Sequence, residues 1–250
     1  MKHRSKTGFT LVELAIVVSI IALLIVGVSL SQSVLENSRI IGFIDQVSKY
    51  QKAYQLFQEQ YNDVAGDLSG ANNLINGATN AGNGDGFIDY ASGASAVPAI
   101  GGAESNAAWQ QLKLVGFIKG EFIGSSGGNK NVNYPECLIH PDCSLHFSSV
   151  NIHNQFSKEQ NYLVTQKHSP DPTDDNFKQT IDSNIAYKID LKMDDGLPYH
   201  GSVAGYSIYN ACSTDIDNVW STKNTANYNL TSSSTCNLLF SLDYNNFTWQ

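Results

Sequence analysis

The chain has 250 residues, with 15 Lys+Arg against 23 Asp+Glu and a formal net charge of −8. Hydrophobic residues make up 42%, which excludes wholesale disorder, and charged residues only 15%, against about 25% in ordinary soluble proteins. The acidic balance argues against nucleic acid as a partner, because phosphate contacts need Lys and Arg.

Residues 1–8 form a basic leader carrying Lys2, Arg4 and Lys6. Phe9 to Leu30 is apolar except for Thr10, Glu13, Ser19 and Ser29. About 20 such residues cross a bilayer as a helix. Basic residues ahead of the span keep that end cytoplasmic, which places the remainder outside. Glu13 is the anomaly, since a mid-bilayer carboxylate costs roughly 2.5 kcal/mol or more and asks for a named partner. Three readings compete for this segment. One is a plain signal anchor. Another is a cleaved secretory signal with Ser29-Leu30-Ser31 as its small-x-small site, against which Glu13 counts.

The third rests on Gly8-Phe9-Thr10-Leu11-Val12-Glu13. This string resembles the prepilin peptidase site of type IV pilins and type II secretion pseudopilins: a Gly, then usually Phe, with Glu five residues into the mature chain. Leader, Gly, Phe, Glu and apolar run occur here in that order. The resemblance implies cleavage between Gly8 and Phe9 by prepilin peptidase, and N-methylation of Phe9. It also implies that Glu13 pairs with the terminal amine of a neighbouring subunit. Physical chemistry agrees, because a buried carboxylate wants an opposite charge. A wrong register leaves both charges unpaired, so Glu13 can set subunit register.

Beyond the span, Ile40, Phe43, Val47, Tyr50, Tyr54, Phe57 and Tyr61 recur in steps of three and four, which is one helix face. No Pro precedes Pro98, so one helix is expected from about Phe9 to Tyr61. The mid-span Pro common in the family is missing. Residues 62–105 read as a loop region rich in Gly, Asn, Ala and Ser. Within it, Tyr61-Asn62-Asp63-Val64-Ala65-Gly66-Asp67 resembles a turn after the long helix of some large pilin-like proteins, with Ala65 in place of Pro. Glu104 to Ile118 is predicted helical, ended by Gly116 and Gly120. A further helix is predicted over 173–193, with Thr173 as N-cap, Asp174 and Asp175 in its first turn, and Phe177, Ile181, Ile185 and Ile189 every four residues. Gly196 and Pro198 close it. Strands are expected near 145–150, 161–166, 203–210 and 236–242.

The resemblance implies an α+β, pilin-like fold, with a long N-terminal helix packed on an antiparallel sheet head with additional helices and long loops. The expected organisation is a leader at 1–8, a transmembrane or filament-core helix at 9–30, its amphipathic second half at 31–61, and an extracytoplasmic head at 62–250.

All four cysteines, Cys137, Cys143, Cys212 and Cys236, fall on the side predicted to lie outside, where disulfides are the default. Three connectivities are open, and sequence-local pairs are favoured. Cys212–Cys236 resembles the C-terminal disulfide-bounded region of many type IV pilins. The alternatives are free thiols and zinc, the latter held by Cys137, His140, Cys143 and His146. Two loops suggest structural calcium. Asn83, Asp85 and Asp89 resemble part of an EF-hand loop, although Ala81 and Ser92 replace its expected end ligands. Asp194 and Asp195, following Asp190, form the second. Plain turns are the competing reading of both. No catalytic motif or organic cofactor site is legible, so the chain reads as a non-enzyme.

The expected role is a structural subunit of a type IV pilus-type filament. Its implied partners are prepilin peptidase, identical or related subunits and inner-membrane assembly proteins. Its implied location is the bacterial inner membrane, then the filament. The alternatives are a pseudopilin of a type II secretion system and, from another class, a membrane-anchored adhesin or binding module.

Overall fold

The computed structural model describes residues 8–79, 82–88, 103–124, 131–149, 160–167, 180–199, 201–206, 212–214, 227–231 and 234–243. The chain divides into two compact units, Met1–Ile41 and Gly42–Gln250. One helix, α1 (Leu11–Tyr61), runs unbroken for 51 residues and contributes to both.

In the first unit α1 exposes its apolar side chains on all sides, from Leu11 through Val28. It is long and apolar enough to cross a membrane. Two of its serine hydroxyls bond within the helix. Ser19 donates to the Ala15 carbonyl at 2.8 Å and Ser31 to that of Gly27 at 2.9 Å. Such bonds let polar side chains sit in an apolar helix without an unpaired donor.

In the second unit the pattern becomes one-sided. Phe43, Val47, Tyr54 and Phe57 are buried, while Tyr50 and Tyr61 are half-buried. Phe43 meets Phe240 edge-on at 5.9 Å and Tyr54 stacks on Phe147 at 5.9 Å, so α1 lies across the sheet. Burying each such ring contributes roughly 1.5–3 kcal/mol. Gln51 adds a polar tie, donating to the Ser241 carbonyl at 2.8 Å.

The sheet is antiparallel throughout and comprises β1 (Cys143–Ser149), β2 (Asn161–Lys167), β3 (Ile181–Asp182), β4 (Val203–Tyr206) and β5 (Thr235–Ser241). Its order is β1-β2-β5-β3, with β4 also paired to β5. The register sets Phe147 opposite Leu163, Leu163 opposite Phe240, and Val203 opposite Phe240. These cross-strand apolar pairs fix one face against α1. This is the α+β, pilin-like layout expected from the sequence.

Among the described residues, three further helices accompany the sheet. The first, α2 (Ala71–Leu74), is a single turn inside the stretch expected to be all loop. It forms where Ala71 is buried. Next, α3 (Ala103–Leu114) is the helix expected over 104–118, but it stops four residues earlier, just ahead of Gly116, which takes a φ of 82°. Last, α4 (Ser183–Met193) starts later than predicted. Its cap is Asp182, whose carboxylate accepts from the Asn184 N–H at 2.8 Å. Ile181 is not a helical residue; it pairs with Cys236 in the sheet. A four-residue apolar repeat cannot by itself distinguish the last strand residue from the first helical turn. Thr173, Asp174, Asp175 and Phe177 lie outside the described residues, as do Pro98 and 207–210 of the expected fourth strand.

Candidate assembly site at the start of the long helix

Gly8, Phe9 and Thr10 precede the helix in non-helical conformation, and all three are exposed. The helix then starts at Leu11 because Thr10 and Glu13 close a capping box. The Thr10 N–H and hydroxyl each donate to Glu13 Oε2 at 2.8 Å, and the Glu13 N–H donates back to Thr10 Oγ1 at 3.3 Å. Leu14 N–H reaches the Thr10 carbonyl at 3.3 Å as the first helical bond. Thr-x-x-Glu is a readable start signal, and Thr10 is a functional residue that the charge of Glu13 does not by itself reveal. The Gly8–Phe9 bond therefore sits just outside the helix, with only Phe9 between it and the cap. Phe9 is 84% exposed and Leu11 86%. Such a surface asks for lipid or protein cover.

Residues 3–29 match the prokaryotic N-terminal methylation motif. This chain carries a prepilin-type cleavage and methylation motif. No curated protein and no solved structure matches it. The prepilin-type motif supports a type IV pilin- or pseudopilin-like protein, and the apolar helix suits an inner-membrane anchor.

The remaining expected site residues lie in the second unit. Cys137 is bonded to Cys143, and Cys212 to Cys236. The four-ligand zinc arrangement is therefore absent: both of its sulfurs are spent in one disulfide, and His146 is buried against Tyr134, with rings 4.1 Å apart. The small disulfide loop is held to α1 by Gln46. Its amide donates to the Glu136 carbonyl at 2.7 Å and accepts from the Leu138 N–H at 2.9 Å.

Asn83 and Asp85 turn their oxygens on their own loop. Asn83 Oδ1 accepts from the Asp85 N–H at 2.8 Å and Asp85 Oδ1 from the Phe87 N–H at 2.9 Å. The group this loop surrounds is a carboxylate. Buried Asp67 accepts from the N–H groups of Asn83, Gly84 and Gly86 at 3.0, 2.7 and 2.6 Å. Burial pushes the Asp67 carboxyl above its usual range, and those three N–H groups oppose the shift. Asp89 lies outside the described residues.

Asp190, Asp194 and Asp195 bring ligand-type oxygens within 4.8 Å of one another. Each also holds backbone. Asp190 is fully buried and accepts from the Gly196 N–H at 3.1 Å and the Tyr228 hydroxyl at 2.8 Å. Asp194 accepts from the N–H groups of Ser202 and Val203, and Asp195 from that of Leu197 at 2.8 Å. Burial pushes the Asp190 carboxyl up to about 7, with Asp195 and Asp194 adding like charge against the two hydrogen bonds. Among the described residues these acids serve as acceptors that shape loops. Asp67 and Tyr228 were missed in the sequence because their partners are distant in the chain.

Proposed function

We infer that this chain is a structural, non-enzymatic subunit of a type IV pilus-type filament. Prepilin peptidase cuts between Gly8 and Phe9, and the new Phe9 amine is methylated. The subunit waits in the inner membrane with its head outside the cytoplasm, and then joins the filament through α1. Glu13 pairs there with the Phe9 amine of a neighbouring copy or related subunit. The observation that carries this reading is the methylation motif at residues 3–29, set on an apolar helix with Glu13 as the acidic residue of its first turn. Apart from Ser and Thr hydroxyls, Glu13 is the polar side chain of that span, and an assembled bundle is where its charge finds a partner.

Replacing Glu13 tests the reading. Glu13→Ala is expected to insert and to be processed like the parent, while filament yield falls at least about tenfold, the effect of roughly 1.4 kcal/mol or more per subunit contact. Normal filaments from Glu13→Ala would refute the pairing.

A further inference from the structure

We propose that Thr10 is a positioning residue for Glu13: it occupies one carboxylate oxygen and leaves the other aimed outward for the neighbouring subunit's amine. This rests on the filament-subunit reading above. Both Thr10 donors, N–H and hydroxyl, end on Glu13 Oε2. Glu13 Oε1 has no hydrogen-bond partner among the described residues. A glutamate side chain on an open helix turn otherwise samples many rotamers. Two bonds to one oxygen, with the return bond from the Glu13 N–H, hold it in one.

The arrangement has two consequences. Before assembly, it gives the carboxylate two donors within an apolar stretch, where an unsatisfied oxygen is costly. At assembly, Oε1 is already ordered, so the incoming ammonium meets a fixed acceptor and less side-chain freedom is lost. The hydroxyl is the essential part, because the backbone N–H alone leaves the Glu13 N–H without its return acceptor. Thr10→Val keeps the shape and removes the hydroxyl, whereas Thr10→Ser keeps the hydroxyl.

The test uses the full chain in a host with prepilin peptidase and the filament machinery. It reads N-terminal mass, filament yield and the isotope-edited infrared carboxylate band of Glu13. Thr10→Val is expected to be cut at Gly8–Phe9 like the parent, to lose about fivefold in filament yield, and to shift the Glu13 band. Thr10→Ser is expected to restore the band and to bring yield within about twofold of the parent. Parental yield from Thr10→Val, or reduced yield with an unshifted Glu13 band, would overturn the proposal. A parent chain that still begins at Met1, or that makes no filaments, would instead bring down the subunit reading on which it rests.

Discussion

The start of α1 and the acidic loops of the second unit use one chemistry at two ranges. In both, a carboxylate collects donors that would otherwise go unpaired. At Thr10 and Glu13 the partners are three residues apart, so the motif is contained in one turn of chain. At Asp67 the partners lie 16 to 19 residues further on. An acid satisfied at long range looks in sequence like a free acid, and so like a metal ligand. The lesson is that local acids announce their use, whereas long-range ones disclose it only after folding.

That contrast can be broken by pH. The folded Asp190 carboxyl is raised to about 7 from its ordinary 3.8, so protonation favours the fold. Its contribution is largest below pH 4, falls as pH rises from about 4 to about 7, and is level above that. The whole shift corresponds to an upper bound of about 4 kcal/mol. Denaturant melts of the full chain in detergent are expected to show stability declining over that window, and Asp190→Asn to flatten the decline. A parent profile that rises with pH there would contradict the assignment of Asp190 as a buried, burdened acid.

A somewhat smaller effect sharpens the comparison at the other loop. Asp67→Ala leaves the N–H groups of Asn83, Gly84 and Gly86 without their carboxylate and is expected to cost about 3 kcal/mol. If Asp67 is the loop's organiser, the loss is the same with calcium or with chelator. A loss that calcium reverses would instead support the EF-hand-like reading of Asn83 and Asp85.

Much of the fold was legible because its signals were local. The unbroken α1 follows from an apolar run, a three-and-four repeat and no early Pro. The strands at 143–149, 161–167 and 235–241 follow from short β-prone runs. The start of α4 was not legible, since Ile181 suits a strand as well as a helix and only its pairing with Cys236 decides. The Thr10–Glu13 box is legible as Thr-x-x-Glu, because both partners lie within one turn of chain. The acceptor roles of Asp67 and Asp190 were not, as each depends on folding to bring Gly86 or Tyr228 within reach.

The most direct test of the central claim is the N-terminal sequence and intact mass of the protein extracted from its native membrane. The expected result is a chain beginning at Phe9 and one methyl group heavier than the unmodified sequence. A chain still beginning at Met1, in cells with active prepilin peptidase, would contradict it and make α1 a plain anchor.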